Sequence, residues 1–170
     1  LGTWPEVDGT TETDGEIDWL IELVSAVRSA RTELNVPPAA LLSLHALEAD
    51  GEMPARLERH GAALERLARV NRVETTAPPA GGLAQIVVEG RSYALPLAGI
   101  IDLDAERARL LKNAEQAEKE AAGLEKRLSN PDFVARAKTE AVEKAREDHA
   151  ARAAEGKRLR AALARLGQAG

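Results

Sequence analysis

The chain of 170 residues contains no cysteine. Disulfides and thiolate metal sites are therefore excluded, which fits a reducing compartment. Aromatic residues are nearly absent: Trp4, Trp19, Tyr93 and Phe133 amount to 2% of the chain. Any core has to be built from leucine, valine, isoleucine and alanine. No stretch approaches the ~18 uninterrupted apolar residues that a membrane-spanning helix needs. No basic-then-apolar leader is visible at the start. These absences lead to the expectation of a soluble, cytoplasmic protein with no membrane partner.

What is present is charge, unevenly placed. The formal net charge of −5 hides an acidic stretch and a basic one. Residues 1–102 hold 8 Lys+Arg against 16 Asp+Glu, and residues 103–170 hold 15 against 12. A basic region beside an acidic one suits a polyanionic partner, and equally a solvated helical surface of mixed charge.

Residues 1–12 are polar and rich in turn formers. Thr13-Asp14-Gly15-Glu16 fits a capping box, after which Ile17, Leu20, Ile21, Val24 and Val27 recur at helical spacing. That helix should end near Leu34, because Pro37 and Pro38 cannot continue it. With one apolar face, it needs a partner. Residues 41–47 predict a strand. Pro54 opens a helix of about 17 residues with Leu57, Leu64, Leu67 and Val70 facing inward. Val73 to Thr76 predict a strand, and residues 83–89 and 91–95 a hairpin about Gly90.

Beyond Leu97 two long helices are expected, separated at Ser129-Asn130-Pro131. Leu103, Leu110, Ala117 and Leu124 repeat every seven residues, beside Ala114, Ala121 and Leu128. On the second helix the rows are Val142, His149, Gly156, Leu163 and Ala145, Arg152, Leu159, Leu166. This is heptad spacing. Asn130 suits an N-cap and Pro131 a first helical residue, so the helices fold back on each other. The expected fold is therefore α+β and mostly helical: a small α/β-containing base followed by a long antiparallel two-helix coiled coil. The expected divisions are 1–35, 36–98 and 99–170.

No catalytic constellation is visible. His45, His60 and His149 fall on three different elements without metal-ligand spacing. No serine has the context of a nucleophile elbow, and Gly81-Gly82 leads into a strand rather than a phosphate-cradling helix. Lys144, Arg146, Arg152, Lys157, Arg158 and Arg160 gather on the second long helix. They can contact phosphates by charge and reach, or balance Glu and Asp in i,i+4 pairs.

Three phrases resemble a known family. Val27-Arg28-Ser29-Ala30-Arg31-Thr32-Glu33-Leu34-Asn35-Val36-Pro37-Pro38 is similar to the "IRxIRxExNVPP" stretch of valyl-tRNA synthetases. Leu95-Pro96-Leu97-Ala98-Gly99-Ile100-Ile101-Asp102-Leu103, followed by Glu106-Arg107-Ala108-Arg109-Leu110, resembles the family's "PLAGLIDLxxERxRL" entry to a C-terminal arm. Lys126-Arg127-Leu128-Ser129-Asn130-Pro131-Asp132-Phe133-Val134-Ala135-Arg136-Ala137 resembles its hairpin tip, "KLSNPxFVxxAP". Lys138 departs from the family's usual proline and is expected to change the second helix's first turns little.

The resemblance implies the C-terminal part of a class I ligase that joins valine to its tRNA using ATP and Mg²⁺. The "HIGH" and "KMSKS" signatures of that chemistry are not in these residues, so no catalysis and no bound cofactor are expected here. Residues 1–35 would be the tail of the anticodon-binding helical domain and 99–170 the tRNA-binding arm. The implied partners are valine tRNA and the N-terminal domains of the same protein, without DNA, in a monomer. Arg28 and Arg31 match the first phrase, and Arg107 and Arg109 the second. With the six cations of the second arm helix they are the candidate tRNA contacts. The alternative is a structural or interaction coiled coil with no RNA role.

Overall fold

A computed structural model describes residues 10–166, with side chains from Asp14 onward. The chain divides into two compact units, one ending at Ile101 and the other beginning at Asp102. Helix predominates and a single four-stranded sheet accompanies it among the described residues, an α+β composition as expected. No described helix is long and apolar enough to cross a membrane.

The first unit runs α1 (Thr10–Glu33), β1 (Leu42–Ala46), α2 (Met53–Ala68), β2 (Val70–Glu74), β3 (Leu83–Val88) and β4 (Arg91–Pro96). The sheet order is β2-β1-β4-β3. β1 pairs parallel with β2, and α2 forms the crossover between them. β4 pairs antiparallel with β1 and β3. Glu89 and Gly90 both take positive φ, 50° and 75°, the backbone a two-residue hairpin turn demands.

α1 packs against β3 and α2. It starts earlier than the capping box implied, so Thr13 lies within the helix. Glu16 reaches α2 instead of folding back: Arg59 donates to it from Nε at 3.1 Å and Nη2 at 3.2 Å, and His60 Nε2 lies 2.7 Å from Oε1. The buried face is Trp19, Leu20, Leu23, Val24, Val27, Ala30 and Leu34. Ile17 and Ile21, expected to face inward, are 44% and 57% exposed. The 3.6-residue period that turns Trp19 and Leu23 into the core turns those two away from it. Leu67 is likewise exposed, and Val70 is buried as part of β2 rather than α2.

Two of the scarce aromatics sit at the centre of this unit. Trp19 and Tyr93 are fully buried, and Trp19 Nε1 donates to the Tyr93 hydroxyl at 3.1 Å. That hydroxyl donates to Met53 Sδ at 3.5 Å, so both polar tips have partners in an apolar setting. Burial also pushes the Tyr93 phenol upward from its ordinary pKa, against the hydrogen bond from Trp19.

The second unit contains α3 (Leu103–Leu128), α4 (Pro131–Arg136) and α5 (Thr139–Leu166). Asp102 caps α3, its Oδ1 accepting from Ala105 N at 3.1 Å. α3 and α5 pack along each other, and their cross-pairs run in opposite order: Arg107 with Leu166, Glu118 with Arg160, Glu120 with Arg152. The helices are therefore antiparallel. The buried stripe is Leu110, Ala114, Ala117 and Ala121 on α3, and Val142, Ala145, Gly156, Ala162 and Leu166 on α5. The seam differs from the expected rows at two positions. Arg152 is exposed, its guanidinium drawn to Glu120 and Glu155, and Ala162 is buried although it lies on neither predicted row. A polar side chain long enough to reach solvent leaves the seam and a small apolar one enters it.

The reversal is longer than the tight turn expected at 129–131. Asn130 Oδ1 accepts from Asp132 N at 3.0 Å and Pro131 opens α4, as anticipated for a capped start. α4 then stops, Ala137 being extended (φ −73°, ψ 152°). The Lys138 carbonyl accepts from Ala141 N and Val142 N as the next helix begins. The break thus persists with lysine at 138, whereas continuity from Pro131 had been expected. At 1.5 Å per residue the six residues of α4 span roughly 9 Å, close to the distance between two packed helix axes. Arg127 lies 4.4 Å above the Phe133 ring, holding α4 to the end of α3.

Candidate nucleic-acid interface

The cations singled out in the arm fall into two groups once their partners are known. Arg160 is engaged by Glu118 through two hydrogen bonds of 2.8 Å. The Glu118 carboxyl is held below its usual range by that arginine, whose own pKa is raised in turn. Arg152 pairs with Glu120 and Glu155. Arg109 is held by both oxygens of Glu106, from Nε at 3.1 Å and Nη2 at 2.8 Å, and its pKa rises accordingly. Arg107 donates to the Leu166 carbonyl at 2.8 Å and lies 3.7 Å from Asp104. Lys144 and Asp148 form an i,i+4 pair at 3.4 Å. These side chains stitch the two helices together or balance their own helix.

Arg146, Lys157 and Arg158 are exposed, with no ion pair among the described residues. Arg146 and Lys157 are eleven residues apart, which returns them to one side of α5 with roughly 16 Å between them. Ala150 and Ala153 lie between them on that side, so no carboxylate interrupts the stripe. Such a stripe can track a phosphate backbone without reading bases.

Arg28 and Arg31 belong to the first unit and have different fates. Arg31 is 8% exposed, and its Nη2 donates to the carbonyls of Pro37, Pro38 and Ala40 at 3.0, 3.3 and 2.8 Å. It holds the Pro37-Pro38 turn onto α1. Arg28 is exposed and lines an open groove of about 630 Å³ with Arg31, Arg66 and Arg69. Arg66 and Arg69 were not among the candidates. A pair three residues apart at the end of a helix was visible in sequence, but the tertiary fold is what brings it beside α1.

Among the described residues, no three His, Asp or Glu side chains gather as a metal site would require. His45 is buried and donates from Nδ1 to the Thr76 carbonyl at 3.0 Å. His60 belongs to the Glu16 cluster.

Residues 102–167 match the family model described as the valyl tRNA synthetase tRNA binding arm. The chain belongs to the valyl-tRNA synthetase family. It is 54% identical over 170 residues to a valine–tRNA ligase of Rhizorhabdus wittichii, covering 98% of this chain and 19% of that protein. It is 48% identical to that of Sphingopyxis alaskensis (96% and 18%) and 43% identical to that of Agrobacterium fabrum (100% and 18%). The chain thus spans about a fifth of the length of the synthetases it matches. The matched arm coincides with the second compact unit of the fold.

Proposed function

We propose that this chain is the C-terminal, tRNA-holding part of a valyl-tRNA synthetase, with residues 102–167 as the arm that lies on the tRNA. The reading is carried by the coincidence of the family's tRNA binding arm with a unit that folds as its own helix pair. In the whole protein, valine, ATP and Mg²⁺ would be handled by a domain outside these residues, and this part would be non-catalytic. Residues 1–35 would complete the anticodon-binding helical domain and 36–98 form a small base. The helix pair would supercoil as a two-stranded coiled coil, in a cytoplasmic monomer. The contacts with RNA would come first from Arg146, Lys157 and Arg158, because their charge is not neutralised within the arm.

Binding of valine tRNA across a salt series tests this. Each lost phosphate contact should lower the slope of log affinity against log salt by about 0.7–0.9. Arg146→Gln, Lys157→Gln and Arg158→Gln should each show that loss, while Arg160→Gln should chiefly lower helix-pair stability. Salt-independent binding, or equal effects from both groups, would overturn the assignment. The engagement of Arg152 and Arg160 across the helix pair favours a second reading, a self-supporting interaction hairpin without RNA. A stable dimer in sedimentation that buries Arg146 and Lys157 would support it.

A further inference from the structure

The groove of the first unit gathers four arginines and no acid. Its lining is Arg28, Arg31, Arg66 and Arg69 with Thr32, Asn35 and neighbouring apolar residues. Attraction of cations to the negative ends of helices accounts for Arg31 and Arg66, on the last turns of α1 and α2. It leaves two arginines unexplained. Arg28 stands a full turn earlier, and Arg69 follows the end of α2. Arg69 has φ 58° and ψ 39°, a left-handed conformation that usually falls to glycine at this position.

Two observations show that the cluster lacks a partner. Arg31 is more than nine-tenths buried, yet its Nη1 makes no hydrogen bond. A buried guanidinium N–H without an acceptor is costly and uncommon. Burial and the neighbouring charge of Arg69 also depress the Arg31 pKa, so the like-charge repulsion is unrelieved. Among the described residues, Arg28, Arg66 and Arg69 have no ion pair. Guanidinium forks from α1 and from the end of α2 lining one open groove suit a tetrahedral anion with several acceptor oxygens.

We infer that this groove binds a phosphate group of an RNA backbone, with the exposed Arg28, Arg66 and Arg69 contacting its oxygens. The choice of RNA over a free phosphate rests on the proposed tRNA partner. The site itself lies outside the matched arm and stands on its own geometry.

The test uses the 170-residue chain with ¹⁵N-labelled arginine. Inorganic phosphate should produce saturable shifts in the Nε–H signals of Arg28, Arg66 and Arg69, which chloride at equal ionic strength should not. Arg28→Gln/Arg66→Gln/Arg69→Gly should then lose roughly tenfold or more in tRNA affinity and show a flatter salt slope. Its circular dichroism and melting temperature should be at least those of the parent. The arm variant Arg146→Gln/Lys157→Gln/Arg158→Gln should keep the phosphate shifts while losing its own share of tRNA affinity. Absence of saturable phosphate shifts overturns the site. Phosphate binding with unchanged tRNA affinity in the groove variant overturns the RNA assignment. If only the arm variant leaves tRNA affinity unchanged, the arm reading fails and the groove stands.

Discussion

The two units use charge in opposite ways, and neither does what its net charge suggests. The first carries nearly twice as many acids as bases, yet it collects four arginines around one groove and keeps carboxylates out of it. The second carries more bases than acids, yet Arg107, Arg109, Lys144, Arg152 and Arg160 all have partners within it. The positive surface available to a polyanion is therefore smaller in the arm, and larger in the acidic unit, than residue counts indicate. Their cores differ too. One is organised on a buried Trp19–Tyr93 pair; the other is a stripe of alanines closed by ion pairs at its borders.

That contrast can be broken at its strongest point first. Trp19→Ala should cost about 3–5 kcal/mol, since it removes the largest buried side chain and leaves the Tyr93 hydroxyl without its donor. Urea unfolding followed by circular dichroism would measure it, and a loss under 1 kcal/mol would show that Trp19 does not organise the core. In the arm, the close approach at Gly156 is the sensitive point, because a Cβ there would stand 3.3 Å from Glu118 Cγ. Gly156→Leu should cost about 1–3 kcal/mol through overpacking, despite leucine's better helix propensity. An increase in melting temperature would mean that the helices separate freely.

Smaller effects sharpen the comparison. Arg69→Gly should raise stability by about 1 kcal/mol by relieving a left-handed residue. The same change should weaken phosphate binding, a combination that ordinary destabilisation cannot mimic. A double-mutant cycle on Glu118 and Arg160 should give a small favourable coupling, as for other exposed pairs, that declines with salt. Glu16 offers a test by pH. Its carboxyl is held below the ordinary value of 4.5, chiefly by hydrogen bonds from Arg59 and His60. The contribution is present above that value and is lost as pH falls through the lower folded-state pKa. Glu16→Gln should flatten this acid limb in a melting series, and an unchanged limb would show that the cluster contributes nothing.

Much of the architecture is legible in local pattern. The hairpin about Gly90, the Pro54 helix and the capped start at Asn130 each follow from residues within one turn of themselves. The parts that are not legible involve partners distant in sequence. Glu118 meets Arg160 across 42 positions, so counting cations on α5 overstates the free charge. Arg31 matches a family phrase, yet its guanidinium faces carbonyls of the Pro37-Pro38 turn, which no periodicity reports. Arg66 and Arg69 join Arg28 only because the α2 crossover brings their end of the helix beside α1. The exposed Ile17 and Ile21 are a similar case: an apolar residue at helical spacing does not state which neighbour it faces.

The reversal between α3 and α5 bears on how this region is made as well as on its shape. Its tip is assembled from residues close in sequence: the Asn130 cap and the Arg127–Phe133 stack lie within eight positions. From there each further seam contact lengthens the closed loop only slightly, so the helices can zip up stepwise with little entropy lost at any one step. In the sheet only the β3–β4 hairpin has such a route, since β1 must find β4 across nearly fifty residues. Local contacts form faster than distant ones, so the arm should reach its final form while the sheet is still sorting its strands.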